Sequence, residues 1–339
     1  MKQVAARVDR GGVAAMTLIN RRSAALLGLA AAVAPWRAEA QTAYPARPVH
    51  LIVGFPPGSA MDITARILGN GLSPLLGQKV VIENKPGAGS NIAAEYATHA
   101  PSDGYTLFIG SSSNITNQAI NPKLPFDMLK DFAPIAPVAA VTVVLVVNPA
   151  TNVHSVSELI ALAKSKPGRV LYASVGIGSA PQLAAELFSQ RIGVKLIGVP
   201  YQGSPQAVAD LIAGRTTMMF SPASTVVGQI AAGKLTGLAS ASAKRAAILP
   251  SLPTMAEAGL PDFDTGIWFC LVAPKGTAQP ILDKLAAAVQ TTLRQPDVLK
   301  ALNKQGLDAL SGGPDAARRL MASELTRWSE VARAAGLKQ

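Results

Sequence analysis

From Pro48 onward, short runs of β-branched and aliphatic residues alternate with stretches in which apolar positions recur every three to four residues. The runs HLIVGF (50–55), KVVIE (79–83), YTLFIG (105–110), VTVVLVV (141–147), VLYASV (170–175), KLIGVPY (195–201), TTMMF (216–220) and LTGLAS (235–240) predict strands. Between them the spacing predicts helices over 60–75, 90–99, 155–166, 181–191, 204–213 and 223–232. One start is well marked: Ser155 and Glu158 stand three apart, as in a capping box, before LIALAKSK. Such alternation predicts an α/β protein with a mostly parallel sheet covered by helices on both faces.

The pattern changes toward the C-terminus. Residues 279–339 are almost entirely helical in period, which predicts a helical cluster wrapped back over a domain already formed. Extended runs around 134–148 and 263–273 read as two crossovers between domains. The expected organisation is a first domain of 44–147 plus 263–339, with a second domain, 148–262, inserted into it.

The first forty residues follow neither pattern. Arg21 and Arg22 precede SAALLGLAAAVAP, and Ala38-Glu39-Ala40 supplies a small-x-small cleavage motif. This predicts a signal peptide cleaved near Ala40, because the apolar stretch is too short to cross a bilayer. Met16 is an alternative start, and both general and twin-arginine export are open. The only cysteine, Cys270, lies far from the cleavage motif in GIWFCLVAP, so it is neither a lipid anchor nor half of an internal disulfide. It is expected to be a buried small hydrophobe.

Composition narrows the class of function. Of 339 residues, 49% are hydrophobic and 15% charged, a globular balance with room for two cores. The formal charge is +11; residues 1–40 carry six Lys or Arg and two Asp or Glu, so the remainder holds +7. No Lys/Arg run and no nucleic-acid-binding motif accompanies that charge, so no nucleic-acid partner is expected.

The loops that follow strands into helices carry the candidate chemistry, because open α/β sheets bind ligands beyond the carboxyl ends of their strands. FPPGSAMD (55–62) offers Phe55, Pro57, Gly58, Ser59 and Asp62; GSSSNITN (110–117) offers Ser111 and Asn114. SVGIGSAPQL (174–183) offers Ser174, Gly176, Gly178, Ser179 and Gln182. PYQGSPQ (200–206) offers Tyr201 and Gly203, and FSPAST (220–225) offers Ser221. None of the five contains Lys or Arg, so an anion would rest on helix N-termini, each contributing about 0.3–1 kcal/mol. Asp62, three residues after Ser59, is open to two roles: complementing its helix dipole, or contacting a ligand directly or through water.

Other chemistries fail on spacing. Gly87-Ala88-Gly89 meets Ile92, and Gly176-Ile177-Gly178 meets Pro181, where a dinucleotide fingerprint needs glycine. No serine elbow is present, and His50, His99 and His154 are scattered over a strand start, a helix end and a loop. No grouping has metal-ligand spacing, and neither metal nor cofactor is expected. A hydrolase built on a serine-rich loop would lack its base.

The ordered series PARPVHLIVGFPPGSAMDITAR, VIENKPGAGSNIAAE, DGYTLFIG, YASVGIGSAPQLAAELF, VPYQGSPQAVADLIAGR, RAAILPSLPTMAEAGLP and LVAPKGTAQPIL resembles the Bug-type substrate-binding proteins of tripartite tricarboxylate transporters, over nearly all of 44–339. That resemblance implies a type II-like periplasmic binding protein: two doubly wound α/β domains joined by two crossover strands, with the C-terminal helices on the first. It implies a monomeric, non-enzymatic receptor that closes on a small carboxylate and docks transiently on membrane transporter subunits. A sensor presenting the same solute to an envelope partner needs the same clamp and stays open as an alternative. The resemblance further implies that Pro56, Pro57, Gly58, Ser59 and Asp62 on one loop, and Ser174, Gly176, Gly178 and Ser179 on another, hold the carboxylates. Three positions depart from the family pattern: Ser59 stands for a usual glycine, Gln182 for a frequent histidine, and Ser221 for a frequent aspartate. The last departure favours a carboxylate without an amino group.

Overall fold

The computed structural model describes residues 44–121, 123–175, 179–242 and 245–334; the expected leader, Gly176 and Gly178 lie outside the described residues. In chain order the first half runs β1 (Val49–Val53), α1 (Ala60–Leu76), β2 (Val80–Asn84), α2 (Asn91–Thr98), β3 (Thr106–Ser111), α3 (Ser112–Ile120) and β4 (Phe132–Val141). The chain then enters β5 (Val143–Val147), α4 (Val156–Ser165), β6 (Leu171–Val175), α5 (Ala180–Ile192), β7 (Ile197–Tyr201), α6 (Ser204–Ile212), β8 (Met218–Pro222), α7 (Ala223–Ala231) and β9 (Thr236–Ser240). It returns through β10 (Ile267–Pro274), α8 (Gln279–Thr292), α9 (Pro296–Asn303), β11 (Leu307–Ala309) and α10 (Pro314–Ala334).

These strands form two sheets, ordered β11-β4-β10-β3-β1-β2 and β7-β6-β8-β5-β9, within one compact unit that begins at Tyr44. A single residue, Thr142, separates β4 in the first sheet from β5 in the second. The sheets are mixed, where alternation alone predicts mostly parallel pairing. β1 pairs parallel with β2 and β3, and β6 with β7 and β8. The strands flanking the crossovers run the other way: β10 is antiparallel to β3 and β4, and β5 to β8 and β9. A strand arriving from the opposite sheet lacks the helical crossover that parallel pairing requires.

Burial explains the sequence of these central strands. Every residue of β5 (VVLVV) and β10 (IWFCLVAP) is buried, so both read as continuous apolar runs. Cys270, in β10, is wholly buried, and burial pushes its thiol well above the ordinary range. The return segment is anchored by aromatic packing: Phe263 stacks on Phe220 of β8 at 5.6 Å, which meets Phe188 of α5 at 5.9 Å.

Two elements depart from the sequence expectation. Within the C-terminal cluster, β11 is a strand, antiparallel to β4; three residues are too few to carry a period. Helices α8 and α10 pack on the first sheet, as the C-terminal pattern predicts. The second departure is α3, which starts at Ser112 inside a segment read as loop. It is polar yet buried, packed under α10, and its side chains bond its own backbone: Thr116 Oγ1 donates to Ser112 O at 2.8 Å and Asn117 Nδ2 to Ser113 O at 2.9 Å. The expected box at α4 forms in altered form. Glu158 N donates to Ser155 Oγ at 3.1 Å, while the Glu158 carboxylate accepts from His154 N at 2.7 Å.

Candidate functional site

The turn after β1 is built around one buried carboxylate. Gly58, at φ +78°, takes the left-handed conformation that closes the turn, and Ser59 N donates to Pro56 O at 3.2 Å. Ser59 is the buried N-cap of α1, its Oγ accepting from Asp62 N at 3.3 Å. Asp62 Oδ2 accepts from Gly58 N and Arg66 Nε, both at 2.9 Å, and Oδ1 accepts from Asn84 Nδ2 at 2.9 Å. Asn84, at the end of β2, also donates to Phe55 O at 2.9 Å. Burial pushes the Asp62 carboxyl up, but the hydrogen bonds from Arg66, Gly58 and Asn84 with the Arg66 charge outweigh it, and the group sits below its ordinary value. Both Asp62 oxygens therefore brace the turn.

A second loop of the first sheet ends beside it. Ser111 caps α3, and both its N–H and its hydroxyl donate to Asn114 Oδ1 at 3.1 Å. Asn114 is wholly buried and reaches Asn91 Oδ1 at 3.5 Å, tying α3 to α2.

The second sheet repeats the strand-to-helix device. Ser179 is the buried N-cap of α5, accepting from Gln182 N at 3.4 Å. Gly203 caps α6 in extended backbone, and Ser204 and Pro205 form its first turn. Tyr201 turns away: its Oη donates to Asp210 Oδ2 at 2.8 Å, and Arg215 binds the other oxygen. Ser221 is buried on β8, its hydroxyl 2.8 Å from Thr225 Oγ1.

Between the sheets lies a narrow cleft of about 30 Å³ that opens to solvent. The first sheet contributes Phe55, Ser59, Ala60, Met61, Ser111 and Ser113. The second contributes Val175, Pro181, Ser204 and Pro222, while Ile267 and Phe269 of β10 reach in together at a strand's period of two. Five helices, α1, α3, α5, α6 and α7, thus begin at this cleft, and no ionisable side chain is among the described residues that line it. Amides of the first turn, such as those of Ala60 and Met61, have no partner within their own helix. Buried hydroxyls of Ser112 and Ser224, in the first turns of α3 and α7, also lack a protein partner.

The two sides touch at the rim. A Cβ added to Gly203 would lie 2.7 Å from Pro56 Cγ and Cδ, and one added to Gly58 would lie 3.7 Å from Pro205 Cγ. Gly203 is extended, at φ −172°, so the approach of the opposite side, and not backbone strain, requires glycine there.

Of the residues expected from sequence, Phe55, Ser59 and Ser111 line the cleft, Gly58 and Gly203 meet the opposing prolines at its rim, and Pro57 is exposed on the turn. Asp62 and Asn114 hold loops in place. Ser174 and Gln182 line a different, larger groove with Tyr172, Glu186 and Lys195 beside edge strand β7, where Tyr172 Oη contacts the Glu186 carboxylate. Sequence reasoning did not single out the other lining residues: Ala60, Met61, Ser113, Val175, Pro181, Ser204, Pro222, Ile267 and Phe269. Ile267 and Phe269 lie in an unbroken apolar run, which marks the strand but not the face that meets a cleft. The histidines are elsewhere: His50 pairs with Glu83, His99 ends α2, and His154 is exposed.

Comparison with known proteins gives a consistent picture. The model of the tripartite tricarboxylate transporter family receptor matches residues 64–337. BugT of Bordetella pertussis is 38% identical over 297 residues, covering 87% of this chain and 91% of that protein. Among solved structures, the periplasmic binding protein BugD superposes with a TM-score of 0.84 at 31% identity, over 87% of this chain and 99% of that one. Rpa4515 of R. palustris, solved with adipate, gives 0.83 at 35% identity, over 86% and 98%. MatC of Rhodopseudomonas palustris, solved with bound malate, gives 0.81 at 32% identity, over 85% and 99%.

Proposed function

Because the chain belongs to the tripartite tricarboxylate transporter receptor family, whose Bug-type members are periplasmic solute-binding proteins, we propose that it captures a small organic carboxylate in the cleft between its two sheets and delivers it to a membrane transporter. One observation carries the reading: five helix N-termini meet at a cleft that no lysine or arginine lines among the described residues. Partial positive charge on first-turn amides, with the hydroxyls of Ser59, Ser113 and Ser204, suits a carboxylate. Hydrogen bonds to a charged group contribute about 1.5–3 kcal/mol each, and a micromolar complex needs about 8 kcal/mol in all. A handful of contacts from both sides suffices after the cost of ordering them.

The sheets then act as two domains that close over the ligand about the β4–β5 and β9–β10 connections; because β5 (Val143–Val147) pairs within the second sheet, the first boundary falls at Thr142 and not after residue 147. Contact between Gly203 and Pro56 marks the closed arrangement. The receptor acts as a monomer in the periplasm after removal of residues 1–40. No helix among the described residues is long and apolar enough to cross a membrane. The carboxylates of adipate and malate in Rpa4515 and MatC support the ligand class. The test is mass spectrometry of the solute released from protein isolated natively, followed by calorimetric titration of that solute. Recovery of a carboxylic acid that rebinds is expected; a neutral or cationic solute as the tight ligand would refute the reading.

A further inference from the structure

We infer that the acid taken by this cleft has an unsubstituted hydrocarbon body, so that the receptor discriminates against hydroxy and amino acids of the same length. The inference rests on the reading that the cleft binds a carboxylate, and it concerns what lies beyond that group.

Apart from its helix termini, the cleft is walled by Phe55, Met61, Val175, Pro181, Ile267 and Phe269. These side chains offer a ligand no donor, and the one weak acceptor among them, the Met61 sulfur, already accepts from Gly54 N at 3.3 Å. Among the described residues the polar side chains on the wall are four serines, and two of their hydroxyls already have a partner: Ser59 Oγ accepts from Asp62 N, and Ser111 Oγ donates to Asn114 Oδ1. What remains, with the first-turn amides, is donating capacity suited to carboxylate oxygens. Among the described residues that line the cleft, a ligand ammonium finds no acceptor of matching charge. The nearby carboxylate, Asp62, has both oxygens occupied by Gly58, Arg66 and Asn84, and Ser221, bonded to Thr225, does not line the cleft. With the hydroxyls of Ser113 and Ser204 turned to the carboxylate, a hydroxyl on the ligand's body would face apolar side chains and lose its water without an equal partner. Family membership does not decide this point, since MatC was solved with malate, a hydroxy acid, and Rpa4515 with adipate, which has a plain hydrocarbon chain.

Matched pairs test the inference by calorimetric titration of the mature chain: adipate against galactarate and 2-aminoadipate, succinate against malate, and phenylacetate against mandelate, with adipamide as the uncharged control. Whichever chain length fits, the unsubstituted acid should bind on the order of tenfold to a hundredfold more tightly than its substituted partner, the range by which an apolar pocket rejects an added hydroxyl. In the isosteric variant Val175→Thr, which places a hydroxyl in the wall, the ratio for the hydroxy acid should narrow several-fold. Equal or tighter binding of galactarate, 2-aminoadipate, malate or mandelate would overturn the inference while leaving the carboxylate reading intact, and an unchanged ratio in a folded Val175→Thr protein would also overturn it. Binding of no acid in the set, or of adipamide as well as adipate, would instead overturn the carboxylate reading beneath it.

Discussion

On one side of the cleft a buried carboxylate fixes the turn: Asp62 gathers the Gly58 amide, the Arg66 guanidinium and the Asn84 amide, each at 2.9 Å. On the other side, the turn into α6 has no ionised group inside it; Ser204 and Pro205 start the helix, and the ion pair of Asp210 with Arg215 stands on the exposed flank with Tyr201. Both sides present the same thing to a ligand, a helix N-terminus with a serine. They differ in how that N-terminus is held. The first side is pre-ordered by charge-assisted hydrogen bonds, and the second is set by contact with the first through Gly203 and Pro56. The Asp62 charge is answered locally by Arg66, whose guanidinium stays half exposed, so it would be compatible with the anion proposed for the cleft. Under the proposed closure, one side would template the site and the other would complete it.

The largest effect should come from erasing what the two sides share. Ser59→Glu places a like charge where the ligand carboxylate belongs, at a cost of about 4 kcal/mol for charges about 4 Å apart at an effective dielectric constant of about 20, on the order of a thousandfold in affinity. Ser179→Glu should do the same from the second side. Titration with the identified acid, with circular dichroism to verify folding, measures both; wild-type affinity in a folded Ser59→Glu protein would place the site elsewhere.

Next in size is the contact by which the second side completes the site. Gly203→Ala puts a Cβ 2.7 Å from the Pro56 ring, which hinders closure without straining an extended residue. Affinity should fall about tenfold, a penalty of about 1.4 kcal/mol on the closed state, and Pro56→Ala in the same chain should restore part of it. No recovery in the double variant would show that the two residues are not coupled.

Asp62→Asn tests the template side and should act on stability first, by about 2 kcal/mol, the scale of a hydrogen bond to a charged group. Because the folded carboxyl lies below its ordinary value of 3.8, its contribution is present at neutral pH and is lost as pH falls through the folded value. Urea unfolding at several pH values should show the gap between wild type and variant constant above about pH 5 and narrowing below about pH 4. A gap that widens in acid would reverse the assignment. Smallest of all should be Tyr201→Phe: removing one hydrogen bond to a partly exposed carboxylate already paired with Arg215 should shift stability by less than about 1 kcal/mol and leave ligand affinity unchanged.

Much of this architecture is legible in the sequence, for a physical reason. Strands such as 143–147 and 267–274 are buried on both faces and so are written as unbroken apolar runs, while Ser59, Ser155 and Ser179 mark helix starts by their own capping chemistry. Two elements escaped because their information is not local. Helix 112–120 is polar and is made a buried helix by the C-terminal helix packed over it, and strand 307–309 exists only as a partner of 139–141. The same limit applies to the site. Asp62 reads equally well as ligand contact or helix-dipole partner, and its role as a brace is visible only once Asn84, 22 residues away, is seen on its second oxygen. Ser174 and Gln182, close in sequence to Val175 and Pro181, face a different groove from theirs.

The most direct test of the central claim, that a carboxylate is held by helix termini and hydroxyls without a cationic side chain, is a crystal structure of the receptor with its native solute retained. The account predicts carboxylate oxygens within about 3 Å of first-turn amides at Ala60 or Met61 and of serine hydroxyls on both sides, with Asp62 still joined to Arg66. A ligand carboxylate paired directly with Arg66 or any lysine, or bound in the groove beside Tyr172 instead of the cleft, would contradict it.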